Sequence, residues 1–473
     1  MNFVYDSWVA NEFKTINFGD DRLTKRFKYV VSEFMKKAQL NISSVFDSWS
    51  SIKGCYRFFD NEKIKSETIL SEHVNSTVLR MNQDNSTLCI LHDTTYIDYK
   101  KRTKTKNLDC LGKVSKAEKG HRGLILHNSL AINESGIPIG LVNQIFTERK
   151  DIKPGNKKSK KHLIHMQPVE EKESYRWIEA VNNFALLKCS HKNVVHITDR
   201  EGDFYELYRA CSELKENFLI RASHNRSINK KKRREPPTKN LFDHFNSLIP
   251  EKKVIIDIQV NSEAKYRQAE LSISFDKFTL PPPPSRTTNK DGKELYNIEL
   301  WGVMIKEEHP PENEEALKWL LITNIPVTNA NEAIEKMKWY TLRWKIEVFH
   351  KILKSGCSVE SAQLRTREKL IKYITIKSII AWRIFWLSTS FKTSKSSDCS
   401  TILTEIEQEI LFKRFNQGTK YEKPPSVEEV HIWIAKLGGY IGRNTDPPPG
   451  MISIWRGWTR LMHMVEDYKI ICG

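Results

Sequence analysis

No stretch of this 473-residue chain approaches the ~20 consecutive apolar residues that a membrane-spanning helix requires. The longest apolar run near the C-terminal half, Ile379 to Leu387, is broken by Arg383 and preceded by Lys377. The opening residues, Met1 to Trp8, have no basic segment followed by an apolar one, so they do not read as a secretory signal. A cytosolic protein without membrane contact is expected. Paired cysteines are missing too: Cys55, Cys89, Cys110, Cys189, Cys211, Cys357, Cys399 and Cys472 lie far apart, with no CxxC and no histidines at metal-finger spacing. This argues against a disulfide scaffold and a zinc finger, and for reduced, packed thiols. No internal repeat is found.

Charged residues make up 28% of the chain, hydrophobic residues 39% and aromatics 10%, a balance that suits a folded protein and confines disorder to local segments. The length accommodates roughly three domains of about 150 residues. Lysine and arginine number 76 against 58 acids, for a net charge of +18, which points to a polyanionic partner. The excess is local. Lys100 to Arg122 holds nine basic and two acidic residues, Arg149 to Lys161 seven and one, and Arg221 to Lys239 eight and one. Those three segments account for the whole surplus. Each is rich in Gly, Pro, Ser, Asn or Thr after a β-like run, so three basic loops are expected.

Residues 1–70 read as a small helical domain, in which Leu23, Phe27, Val30, Val31 and Phe34 recur at helical spacing after Asp20 and Asp21. β-branched runs follow at Ser86 to Tyr99, Gly123 to Ile132, Ile137 to Phe146, Asn193 to Thr198 and Asn217 to Ala222, with a helix over Glu173 to Leu187. A mixed sheet covered by helices is the expected α/β core. Alternating strands at Val254 to Val260, Leu271 to Phe275 and Tyr296 to Ile305, broken at Pro281 to Pro284, read as an antiparallel insertion over about 250–310. One amphipathic helix is expected over 331–354, ending at Gly356, and the chain beyond about 370 should be mostly helical.

Two aspartates close apolar runs, Asp93 in Ile90-Leu-His-Asp-Thr-Thr95 and Asp199 in Ile197-Thr-Asp-Arg-Glu-Gly-Asp203. A carboxylate there must be exposed, paired or bound to a cation, or cap the following turn. On the helix, Tyr340, Arg343, Glu347 and Lys354 share an arc of about 60°, opposite a stripe of Leu342, Ile346, Phe349 and Leu353. An Arg343 to Glu347 ion pair on a solvated face is the ordinary alternative. Asp93, Asp199 and Glu347 together could hold two Mg²⁺ ions, hard cations that take carboxylate oxygens, for in-line displacement at phosphorus on DNA or RNA.

The spacing Tyr340-x2-Arg343-x3-Glu347-x6-Lys354 resembles the signature of the insertion-sequence-four family of DDE transposases. Further similar elements run in order: Gly19 to Arg26, Cys55 to Phe59, His92 to Thr95, Thr198 to Glu201, Leu317 to Thr323, Leu437 to Tyr440 and Ile454 to Trp458. The resemblance implies an RNase H-like catalytic core over 71–390 that carries the β insertion. A helical domain recognising transposon ends (1–70) would precede it, and a helical dimerisation domain (391–473) would follow.

It further implies Asp93, Asp199 and Glu347 as the catalytic and metal-binding triad, with two Mg²⁺ ions or Mn²⁺ in their place. Tyr340, Arg343 and Lys354 would contact the DNA backbone, joined by His350, Lys351 and Arg221, and Trp319 would stack on a flipped base. Arg22, Arg26 and Arg57 match positions that touch the transposon end, whereas Leu23 stands where the pattern has an arginine, so end recognition should differ. The partners would be double-stranded DNA, as transposon ends and target, and a second copy in a synaptic homodimer at the bacterial nucleoid. An RNase H-like nuclease and a non-catalytic DNA-binding regulator remain the alternatives.

Overall fold

The computed structural model describes residues 7–99, 105–111, 122–147, 168–191, 193–229, 239–260, 265–283, 292, 294–312, 314–393, 398–416, 424–443, 446 and 448–472. The expected loop at 149–161 lies outside these residues, as do most of that at 100–122 and residues 230–238 of that at 221–239. Five helices lead: α1 (Ser7–Glu12), α2 (Asp21–Lys36), α3 (Ile42–Val45), α4 (Trp49–Asp60) and α5 (Ser66–Gln83). Asp20 starts α2 by accepting the Arg22 N–H at 2.8 Å, and Ser48 starts α4 through the Ser51 N–H at 3.2 Å. Such caps satisfy amide donors that a helix start leaves without partners. Phe27, Val30, Val31 and Phe34 of α2 are buried, as their spacing predicts, with Leu23 at the margin of the core.

The middle of the chain builds the sheet. Its elements are β1 (Leu88–Asp98), β2 (Asp109–Cys110), β3 (Arg122–Asn133), β4 (Pro138–Thr147), α6 (Tyr175–Ala185), β5 (Val194–Thr198), α7 (Tyr205–Leu214) and β6 (Asn217–Arg221). Then come β7 (Ser227–Ile228), β8 (Lys239–Asn240), α8 (Leu241–Asn246), β9 (Lys252–Val260), β10 (Lys265–Leu280), β11 (Ile298–Glu307) and β12 (Lys318–Thr323). Among the described residues ten strands form one sheet in the order β2-β3-β1-β5-β6-β12-β11-β10-β9, with β4 also on β3; β7 and β8 pair separately. β1, β5 and β6 run parallel, and the remaining pairings are antiparallel. The alternating strands expected as an insertion therefore continue the central sheet outward from β6 through β12.

The last third is helical: α9 (Ala330–Thr341), α10 (Trp344–Lys351), α11 (Arg367–Thr393), α12 (Glu405–Phe415), α13 (Val427–Leu437) and α14 (Met451–Cys472). One uninterrupted helix over 331–354 is not what forms. Bonds from the N–H of Leu342, Arg343, Lys345 and Ile346 reach back only three residues, and Thr341 Oγ1 bonds the Lys338 carbonyl at 2.6 Å. Ile352–Gly356 then opens into a π turn closed by Cys357 N–H to Ile352 O at 2.8 Å. Tightening and loosening of this kind mark helices that re-aim side chains.

Residues 374–382 of α11 are buried on every side, the pattern of a helix enclosed by protein. It packs on α2, α4, α5, β4, α13 and α14, so leading helices, sheet and trailing helices share one hydrophobic core. The expected domain limits at 70 and 390 fall inside α5 and α11. Lys377, wholly buried on α11, donates to the Ala38 carbonyl at 2.8 Å and lies over the rings of Phe34 and Tyr373. Burial pushes its ammonium down to about 8.

Where α13 and α14 cross, Gly438 and Gly457 let the two backbones touch. A Cβ on Gly457 would stand 1.6 Å from the Ile434 carbonyl oxygen, and one on Gly438 would stand 1.8 Å from that of Ser453. Backbone cannot yield there as a side-chain tip can. Gly457→Ala should therefore destabilise the chain by about 1–3 kcal/mol or more, read as a lowered thermal midpoint; an unchanged midpoint would contradict the close crossing.

Candidate active site

β5 and β1 set the site. Their parallel register pairs Leu88 with Val194 through to Leu91 with Ile197, and β5 stops at Thr198 while β1 continues to Asp98. Two residues further in that register, Asp93 stands beside Asp199. Asp93 is thus mid-strand, not at a strand end as its apolar run suggested, and it becomes accessible because its neighbour β5 has ended. Asp199 begins the short 3₁₀ turn Arg200–Gly202, accepting the Glu201 N–H at 2.9 Å. The capping role and the position beside Asp93 coexist.

The two carboxylates are unlike. Burial opposes ionisation of Asp93, yet the hydrogen bond and charge of His350, the Thr94 N–H and Arg343 outweigh it and hold the carboxyl below the usual range. Burial pushes Asp199 up, the charges of Asp93 and Glu201 add to that, and the Glu201 N–H and Arg343 only partly offset it.

His350, expected as a DNA contact, is instead buried behind Asp93, its Nδ1 3.4 Å from Asp93 Oδ2. A buried chain of hydrogen bonds fixes its ring. Thr375 Oγ1 donates to Gln144 Oε1 (3.0 Å), Gln144 Nε2 donates to Asn128 Oδ1 (3.0 Å) and to Ser378 Oγ (2.9 Å), and Asn128 Nδ2 donates to His350 Nε2 (3.0 Å). With Nε2 accepting, the Nδ1 proton faces the carboxylate. Sequence reasoning passed over Asn128 and Gln144. The signal was there, since polar residues inside the apolar runs of β3 and β4 must find partners once buried.

Glu347 is 55% exposed and bonded through Oε1 to Arg343 Nη2 at 2.5 Å, the ordinary i,i+4 ion pair. Among the described residues no three His, Cys, Asp or Glu side chains are grouped to hold one ion. The structure therefore brings Asp93 and Asp199 together, with Arg343 acting on both, and leaves Glu347 with Arg343 on the rim. The donors still suit a hard divalent cation: Asp93 and Asp199 offer carboxylate oxygens whose mutual repulsion a cation would relieve.

Around them, Tyr340 is buried, bonded by Arg221, with the Arg343 guanidinium 6.0 Å from its ring centre and Trp319 edge-on at 5.1 Å. The expected apolar stripe holds for Ile346, Phe349 and Leu353, all buried, and Leu342 lies half-buried. Lys351 is exposed, and Lys354 is half-buried on the π turn. Arg22 and Arg57 are exposed on α2 and α4, and Arg26 lies against Gly54 in the crossing of those helices.

Residues 5–64 match a family model described as transposase DNA-binding, and residues 174–383 match one described as transposase DDE domain. The chain thus carries a transposase DNA-binding domain ahead of a transposase DDE domain. The first match covers Arg22, Arg26 and Arg57, and the second covers Asp199, Trp319, Tyr340, Arg343 and Glu347 but begins after Asp93. A DDE domain implies an RNase H-like fold, and the β4-β3-β1-β5-β6 portion of the sheet, three antiparallel strands followed by two parallel ones, fits that core. No helix among the described residues is long and apolar enough to cross a membrane.

Asp199 is more easily protonated in the folded chain than in the unfolded one, so its contribution to stability falls as pH rises through the window above the ordinary aspartate value. The penalty grows as pH rises through that window. Asp199→Asn should raise the thermal midpoint at pH 7 in EDTA, and the advantage should shrink as pH falls towards about 4. Equal midpoints at pH 7 would contradict the repulsion.

Proposed function

We propose that this chain is a cut-and-paste DNA transposase of the insertion-sequence-four type, resembling the transposase of the bacterial Tn-five transposon. The observation that carries the reading is Asp93 beside Asp199 at the end of β5, with Arg343 and Tyr340 next to them, in a chain matching transposase DNA-binding and DDE models. Asp93, Asp199 and Glu347 would hold two Mg²⁺ ions, or Mn²⁺, which when bound supply Lewis-acid activation and charge neutralisation at phosphorus.

The chain's own residues do the rest. Arg343, Lys351 and Lys354 neutralise backbone phosphates, and Tyr340 is clamped by Arg221 so that its ring orients Arg343. Arg343 has two partners to choose from. A phosphate arriving at its guanidinium competes with Glu347 and frees that carboxylate to turn towards the aspartates. Trp319, half-buried against Tyr340, stacks on a base flipped out of the duplex, relieving the tight bend of a hairpin end. His350 serves from behind, by orienting Asp93.

Each step is an in-line displacement at phosphorus. Water cuts one strand at the transposon end, and the freed 3′-hydroxyl attacks the opposite strand to close a hairpin. A second water opens it, and the 3′-hydroxyls then join target DNA. We place end recognition in residues 1–70 through Arg22, Arg26 and Arg57, catalysis in 71–390 and dimerisation in 391–473, in a synaptic homodimer at the nucleoid of the bacterial cytosol.

The Arg343 to Glu347 pair favours one second reading, a chain that binds ends without cutting them. Cleavage of DNA bearing the element's terminal repeats separates the two. With Mg²⁺ the wild type should form hairpin ends and Glu347→Ala none; a wild type that binds the ends yet makes no nick in Mg²⁺ or Mn²⁺ would establish the binder instead.

A further inference from the structure

Arg176, on α6, lies outside the transposase signature and is only 7% exposed, so it is not placed to grip DNA. Its three nitrogens diverge. Nε donates to Thr94 Oγ1 at 2.9 Å, Nη2 to Glu201 Oε2 at 3.1 Å and Nη1 to the Glu173 carbonyl at 2.7 Å. Thr94 is the residue after Asp93, and its backbone N–H bonds the Asp93 carboxylate. Glu201 is two residues after Asp199, and its N–H bonds Asp199 Oδ1 at 2.9 Å. The two residues that Arg176 grips are therefore the two whose amides orient the aspartates.

We infer that Arg176 is a positioning residue, a planar cross-brace that fixes the spacing and orientation of Asp93 and Asp199 for a divalent cation. The inference rests on the proposed metal-binding role of those aspartates. The paired register of β1 and β5 ends at Leu91 and Ile197, and beyond it the like charges of Asp93 and Asp199 oppose each other. A brace is needed there. Arginine can span the gap because its fork presents donors in fixed, separate directions, whereas a lysine ammonium offers one point. Glu173, at the foot of α6, holds the third nitrogen and anchors the brace to the helix rather than to either carboxylate.

The sign of one measurement separates brace from mere charge. A buried cation near two carboxylates repels an incoming cation, so if Arg176 acted only through its charge, Arg176→Gln would tighten metal binding. The brace requires the opposite. Mn²⁺ binding to the full chain without DNA, followed by the electron paramagnetic resonance of free Mn²⁺, should weaken about 10- to 100-fold in Arg176→Gln, the usual loss when a partner of a metal ligand is removed. Arg176→Lys keeps the charge and loses the fork, so it should also bind weakly.

Thermal midpoints accompany each variant. If Arg176→Gln does not fold, Glu201→Ala, which removes the carboxylate that Nη2 bonds, takes its place and should weaken Mn²⁺ binding. Unchanged or tighter Mn²⁺ binding in folded Arg176→Gln, or wild-type binding in Arg176→Lys, overturns the brace alone. A wild type that takes up no Mn²⁺ overturns the metal reading and the brace with it.

Discussion

Two carboxylates held side by side where a strand has ended form an arrangement that folding alone does not favour, and much of the molecule is organised around it. Asp93 and Asp199 are neighbours because β1 outlasts β5 in a parallel pair, so the sheet supplies the proximity and electrostatics opposes it. Several close partners of the pair answer that opposition, although the Glu201 carboxylate adds to it. Amide N–H groups of Thr94 and Glu201 bond one carboxylate each, His350 backs Asp93, and Arg343 lends positive charge to both. A carboxylate pair that costs stability without a cation is suited to holding one, since the charge that sets the two groups against each other attracts the cation.

The scaffold that bears this strain is the shared core around α11. That helix touches the leading helices through Lys377 and Ala38, and the sheet through Trp382 and Pro138. Through Thr375 and Ser378 it begins the hydrogen-bond chain that ends at Asp93. Local shifts in a close-packed interior are transmitted rather than absorbed. Orientation of the carboxylate is thus tied to the packing of helices drawn from both ends of the chain.

Much of this was legible in the residues. Five β-branched runs fell within two or three residues of β1, β3, β4, β5 and β6, because strands buried on both faces are continuous apolar runs between polar breaks. Asp93 and Asp199 stood out as acids closing such runs, although only pairing register could show that one was mid-strand. The break at Leu342 and the π turn at Ile352 escaped notice because a tightened turn and a widened one nearly cancel, so Ile346, Phe349 and Leu353 still fall on one stripe. Continuity of β9, β10 and β11 with the main sheet was equally hidden, since alternation reports burial of a face and not the identity of a neighbouring strand. Arg176 and Asn128 lay outside every motif. Their importance comes from what they touch, and side-chain contacts between distant segments leave no spacing to read.

The central claim is that Asp93 and Asp199 form a cation site whose repulsion a bound metal relieves. Its most direct test is the thermal midpoint of the full chain, without DNA, at rising Mn²⁺. Ligand that binds only the folded state adds about 2.7 kcal/mol at a hundredfold excess over its Kd. The wild-type midpoint should climb with Mn²⁺ and that of Asp93→Asn/Asp199→Asn should stay level. A wild type indifferent to Mn²⁺, or a double variant that climbs equally, would contradict it.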